Sequence, residues 1–326
     1  MLHKKIFNVP TLCRALALSL LFGSSALYAQ TLQLLHVQGN VYMLSGADVN
    51  VTVQIGPESL VFVDTPDPQV IPEMMALIRE ISDRPARYVI NTALDQQHIA
   101  GNDIINTMGD EAGIGLFSFG PPRPSPVAAG GASGGVTIIG HENVLNRFYL
   151  TENDIPSLTL TTTYFTNTKD FYANGESIVI YHLPNAHTDG DSIVYFRGSD
   201  VISTGDIYIP GQYPDIDIER GGSVDGEIAA LQLILALMVP DLFAEGGTYV
   251  VPGHGRIGDE IDIVEYRNMI YIVRDRIQDM IDRNFSLSQI LAEDPTFDYD
   301  TEYGGHRGGP SNEEFITAVY QSLTQE

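Results

Sequence analysis

Apolar positions along the chain switch between two periods. Residues 32–37 and 41–44 read as strands about Gly39-Asn40, and residues 51–55 and 60–64 flank Gly56-Pro57-Glu58-Ser59 as a second hairpin pattern. The period then lengthens, with Val70, Met74, Leu77, Ile78 and Ile81 on one helical face. Residues 87–91 form a short strand, and a helical pattern follows His98 to about Met108. Residues 118–135 carry Pro121-Pro122, Pro124, Pro126 and two Gly pairs, the composition of a loop or flap. Beyond it come a strand at 137–139 and a short helix at 142–148. A hairpin over 171–182 turns at Asn174-Gly175, and strands follow at 192–196 and 201–203. A long helix is predicted from Ser223 to about Val239, a strand at 248–251, a periodic helix at 261–280 and a last helix at 312–323. Two β-rich halves, each followed by helices, predict two packed sheets with helices outside: one mixed α/β (α+β) domain of four layers, αββα.

Composition adds a compartment. His3, Lys4, Lys5 and Arg14 precede an apolar run at 15–22, and Ser24-Ser25-Ala26-Leu27-Tyr28-Ala29 offers small residues for cleavage. Residues 1–29 are therefore read as a signal peptide, cut after Ala26 or Ala29, which sends the domain at 30–326 to the periplasm or outside. The apolar run is too short to span a bilayer, and no later stretch qualifies. The formal charge of −25 disfavours nucleic acid and anionic membrane surfaces as partners. The single cysteine, Cys13, leaves with the signal, so neither a thiolate ligand nor a cysteine nucleophile remains. The one lysine beyond the signal, Lys169, has no serine three residues before it, which excludes a Ser-x-x-Lys hydrolase.

The chemistry concentrates in loops at strand ends. His98 follows the strand at 87–91, and His187 lies in Pro184-Asn185-Ala186-His187-Thr188-Asp189-Gly190-Asp191. Asp206 ends Ser203-Thr204-Gly205-Asp206, and His254 sits in Val251-Pro252-Gly253-His254-Gly255. Imidazole and carboxylate on loops carried by a sheet is a common construction for a metal site, and the neighbouring glycines let backbone approach it closely.

With Val63-Asp64-Thr65 and the run from Asn91-Thr92 to Gly101-Asn102, this series of motifs resembles the metallo-β-lactamase superfamily over nearly the whole chain after the signal. Asp189, Gly190 and Asp191 with Tyr195, and Glu302-Tyr303-Gly304-Gly305 before Phe315, are similar to its periplasmic, lactamase-like hydrolase branch. The resemblance implies an αββα fold and a small-molecule substrate. It departs at the first motif, where the family carries His-x-His-x-Asp-His and this chain has Ala93-Leu94-Asp95-Gln96-Gln97-His98. Carried over residue by residue, the resemblance leaves Asp95 and His187 at the first metal position. It leaves His98 and His254 at the second, with Asp206 able to serve both. The second position, two imidazoles and a carboxylate, is the better supplied, and zinc, as one or two ions, or iron fits that donor set.

A bound metal would acidify a water and polarise a carbonyl, so the expected reaction is hydrolysis of an ester, lactone, thioester or lactam by metal-bound hydroxide. Asp95 is the expected catalytic group, orienting that water or taking its proton. Asp64 is expected to hold the metal loops by hydrogen bonds, Tyr208, Tyr213 and loop 118–135 to line the pocket mouth unless that loop is a disordered spacer, and His141 to take a structural role in preference to touching substrate. A non-catalytic relative that only binds a small ligand, with metal absent or purely structural, is the alternative, favoured by Ala93 and Gln97. An oxygen-using enzyme on an iron centre is a third.

Overall fold

The computed structural model describes residues 31–114, 136–150, 162–243, 246–305 and 308–325. The predicted signal peptide, the whole of loop 118–135 and His306 lie outside them. Residues Thr31–Glu326 form one compact unit.

The first sheet runs β1 (Gln33–Gln38), β2 (Val41–Ser45), β3 (Val51–Ile55), β4 (Leu60–Val63), β5 (Ala86–Ile90), β6 (Thr137–His141), β7 (Thr162–Tyr164), each beside the next in sequence. It is antiparallel from β1 to β4 and parallel from β4 to β7. The change of sense fits the connections: tight turns join the first four strands, whereas α1 (Ile71–Arg79), α2 (Gln96–Ile99) with α3 (Asn102–Ile114), and α4 (Glu142–Leu150) fill the later crossovers. The second sheet has the order β12 (Tyr249–Pro252), β11 (Val201–Gly205), β10 (Ser192–Phe196), β9 (Glu176–His182), β8 (Thr168–Ala173), and only β11 and β12 are parallel. The β8–β9 turn places Asn174 and Gly175 at φ 52° and 88°, the two left-handed positions that Asn-Gly serves.

Three apolar clusters separate four layers. Val41, Val61, Val63 and Ile90 of the first sheet meet Ile178, Ile180, Val194 and Phe196 of the second. The outer face of the first sheet packs Phe62 and Val89 on Ile71, Met74 and Ile78 of α1. The outer face of the second packs Ile193, Ile202 and Val250 on α5 (Val224–Leu237), α6 (Glu260–Asp282) and α9 (Asn312–Thr324). The layering is αββα, as expected. Strand β4 and β10 from Ile193 onward read as unbroken apolar runs because both their faces are buried. Among the described residues, no helix is long and apolar enough to cross a membrane.

Candidate metal centre

Asp64 follows β4, Asp95 and His98 follow β5, His187 follows β9, Asp206 follows β11 and His254 follows β12. Backbone bonds tie these loops to one another: Ser192 N–H donates to Thr92 O at 2.8 Å, and Gly253 N–H to Gly205 O at 2.7 Å. The Asn91–Asn102 stretch is pinned from inside, where Asn91 donates to the carbonyl of His98 at 3.0 Å and Thr65 to Asn102 at 2.9 Å. Gly205 adopts φ 53°, and a Cβ there would stand 2.5 Å from Thr92 Oγ1, so the turn that presents Asp206 requires glycine.

His98 is fully buried between two carboxylates, its Nδ1 2.8 Å from Asp64 Oδ2 and its Nε2 2.9 Å from Asp206 Oδ2. Thr92 donates to the same Asp64 carboxylate from N–H at 2.8 Å and from Oγ1 at 2.7 Å. Burial opposes the charge on His98, but Asp206 and Asp64 outweigh it and raise its pKa well above 6.5. Burial likewise opposes ionisation of Asp206, yet His98, with His187 and His254, holds its carboxyl below the usual range. His254 Nε2 stands 3.5 Å from Asp206 Oδ1.

On the other side of Asp206 lie His187 and Asp95, with Nδ1 and Oδ2 3.9 Å apart. Asp191 is 3.6 Å from His187 Nδ1, an ion-pair neighbour too distant for a good hydrogen bond. Burial lowers the His187 pKa, but Asp191, with Asp95 and Asp206, pushes it up to about 10. Two groups result, His98–Asp206–His254 and Asp95–His187–Asp206, each offering three ligand atoms within 4.8 Å of one another. Asp95 Oδ2, His187 Nδ1 and Asp206 Oδ1 are buried without hydrogen-bond partners. Each residue of the Asp95–His187–Asp206 group thus carries one orphaned buried atom, and an imidazole with two carboxylates fits a divalent cation. The partnerless set is thus the one built on Asp95, whereas its neighbour already has His98 bonded to Asp206.

Ala93 is buried and offers no donor, and Gln97 Nε2 approaches Asp206 Oδ2 at 3.4 Å. Gln97, Asp206 and His254 form one wall of a cavity of about 730 Å³, whose far side is Glu314, Phe315 and Ala318 of α9. The structure corrects two expectations at its mouth, Tyr213 and Tyr208. Tyr213 is fully buried, stacked on Phe315 with ring centroids 4.7 Å apart, and its hydroxyl donates to Asp300 at 2.8 Å. Tyr208 is buried edge-on to Tyr266. Both are core residues because the apolar face of their loop folds under α6 and α9. His141 stacks on His182 at 3.5 Å and meets the edge of Tyr164, so it packs rather than lining the cavity. Burial and His182 lower its pKa to about 4.

Sequence reasoning passed over Arg220, whose Nη1 donates to Asp95 Oδ1 at 2.8 Å, and Glu227, buried in α5 with both oxygens unpartnered. The only local cue to Arg220 is a charged residue beside Gly221-Gly222 ahead of a helix.

No protein-family model matches the sequence, and no curated protein does. Solved structures do match. The stereoselective inverting sec-alkylsulfatase Pisa1 from Pseudomonas sp. aligns over 90% of this chain with a TM-score of 0.68 and 13% identity, and the chain spans half of that protein's length. A metallo-β-lactamase from Pontibacter korlensis aligns over 74% of this chain and 99% of its own, with a TM-score of 0.53 and 15% identity. The DIM-1 metallo-β-lactamase gives 0.53 and 16%, over 74% of this chain and 97% of its own. With two sheets face to face, helices outside both and histidine and carboxylate loops along one edge, this chain has the fold of the metallo-β-lactamase superfamily.

Proposed function

We propose that this chain is an exported metal-dependent hydrolase of a small molecule that carries an ester, lactone, thioester or lactam. The observation that carries the reading is the grouping of Asp95, His187 and Asp206, each with one buried, partnerless atom, beside a second histidine-carboxylate group that shares Asp206. The names of the structural neighbours, a sulfatase and lactamases, agree with hydrolytic chemistry. Zinc, as one or two ions, suits the nitrogen and oxygen donors, with iron the alternative. When bound, such an ion lowers the pKa of water and polarises a carbonyl.

The protein's own groups do the rest. Asp64 holds His98 by Nδ1, which fixes the ring and presents Nε2 to the site. Asp95 would offer its free oxygen to such an ion, or would take a proton from the attacking water. The cavity beside Gln97 and His254 receives the substrate, with apolar Ile209, Ile216 and Phe315 for its body. A second reading, a ligand-binding pseudoenzyme, draws on Ala93 and Gln97, where expected ligands are missing.

Metal analysis of the purified protein, with lactam, lactone and aryl ester substrates assayed beside His254→Ala, separates the two. The hydrolase reading expects bound metal, activity lost on chelation, and at least a hundredfold loss in the variant. Metal near zero after zinc or iron loading, with equal activity in both proteins, overturns it.

A further inference from the structure

Asp95 stands where the resemblance expects histidine, and its own loop does not hold it. One oxygen, Oδ1, is taken by Arg220 Nη1 at 2.8 Å, and Arg220 Nε is anchored on Asp217 Oδ2 at 2.6 Å. The other oxygen is left free, 3.9 Å from His187 Nδ1. The segment that carries Arg220 is bonded backbone to backbone with the loop that carries His187. Asp217 N–H donates to His187 O at 3.0 Å, and Asp189 N–H donates to Arg220 O at 3.0 Å. Gly222 N–H closes the turn on Asp217 O at 2.7 Å, and a Cβ on Gly222 would lie 2.1 Å from His187 O, so only glycine permits that approach.

We infer that Arg220 is a positioning residue that makes Asp95 a metal ligand in place of the missing imidazole. The inference rests on the metal-centre reading above. Asp, Asp and His at 95, 206 and 187 put two negative charges close together, with Asp191 beside them. A guanidinium on one face of Asp95 offsets that repulsion, fixes the carboxylate plane and directs Oδ2 inward. A carboxylate that binds a cation is itself commonly hydrogen-bonded, and removal of such a partner weakens the metal by about 10–100-fold. Because the Arg220 segment and the His187 loop share backbone bonds, both ligands are set by one piece of structure. The departure at Asp95 and its remedy at Arg220 are therefore a pair.

Equilibrium dialysis against zinc with metal analysis tests this on wild type, Arg220→Gln, Arg220→Lys, Asp95→Asn and the Arg220→Gln/Asp95→Asn double variant. Circular dichroism and metal-free melting serve as fold controls. Arg220→Gln is expected to weaken one zinc site 10–100-fold, Arg220→Lys less, since lysine keeps charge without the planar fork. The double variant should bind no worse than Asp95→Asn alone. Should Arg220→Gln fail to fold, Asp217→Asn, which frees Arg220 from its anchor, is expected to give a smaller loss at the same site. Zinc binding that is unchanged or tighter without Arg220, or a loss that adds to that of Asp95→Asn, overturns the assignment; tighter binding would make Arg220 a competitor for the cation. A wild type that binds zinc but hydrolyses nothing defeats the hydrolase proposal and leaves this one standing. A wild type that binds neither zinc nor iron defeats both.

Discussion

Asp64 turns through φ 63°, a left-handed conformation that Asp and Asn tolerate better than most residues, and the turn brings its carboxylate under Thr92 and His98. Asn at this position keeps the backbone and the shape and removes the charge. Asp64→Asn is therefore expected to leave the metal-free fold in place and to weaken metal at His98 by about 10–100-fold, read by dialysis. Unchanged affinity would mean that Asp64 only holds the turn. The sequence marks Asp64, His98, His187, Asp206 and His254 because each sits in a short motif beside turn residues. Arg220 is not legible in that way. Its partner Asp95 lies 125 residues earlier, and nothing near Arg220 in sequence records that the loop after β9 folds back over it. The relation is made by backbone bonds between two loops, which no local pattern encodes. Tyr213 shows the converse: proximity to the Asp206 motif points to the pocket, while packing on Phe315 takes the ring into the core.

Strands with buried faces and turn residues at both ends are readable as elements, and 51–55 and 192–196 coincide with β3 and β10. The misses are short. Strand β7, three residues of Thr-Thr-Tyr, exists because β6 offers it a parallel edge. Helices α7 (Leu287–Glu293) and α8 (Asp300–Tyr303) are too brief to show a period. Helix α5 is legible from its Ser223 cap, whose side chain accepts from Gly226 N–H, but its buried face holds a surprise. Glu227 shares that face with Val224, Ile228, Leu231 and Ile234, and neither of its oxygens has a partner. Burial first, then Asp191, raises its pKa well above 4.5. The folded state thus keeps a proton that the unfolded state gives up, and the helix loses stability as pH rises above about 4.5. Glu227→Gln is expected to be more stable than wild type by about 1–3 kcal/mol at pH 8 and by less at pH 5, measured by chemical denaturation. Equal gains at the two pH values would show that the carboxyl is not the cause.

For the whole molecule, the site makes stability and metal binding respond to pH in opposite senses. Without metal, His98 and His187 hold their protons more tightly folded than unfolded, His187 up to about 10. A raised folded pKa gives stability that is complete below the unfolded value of about 6.5 and is lost as pH climbs toward 10. Glu227 adds a loss of the same sign from a lower pH. Asp206 works the other way: its depressed pKa gives stability above about 3.8 that disappears as acid protonates it. The chelated protein should therefore be most stable on the acid side of neutrality and weaken steadily from pH 6.5 to 10. The net charge of −25 contributes long-range repulsion, which 0.5 M salt screens, whereas the buried groups are screened much less. Metal reverses the slope. Ions at the two groups, one through His98 and the other through His187, must displace the same protons, so zinc affinity should rise with pH and binding should release protons to the buffer. Denaturation midpoints across pH 4–10 with chelator and with zinc check both arms. A chelated profile that stays flat or rises between pH 6.5 and 10 would show that the histidines are neutral in the folded metal-free protein. In that case the site would accept an ion without exchanging it for a proton, and zinc affinity would be level over the same range.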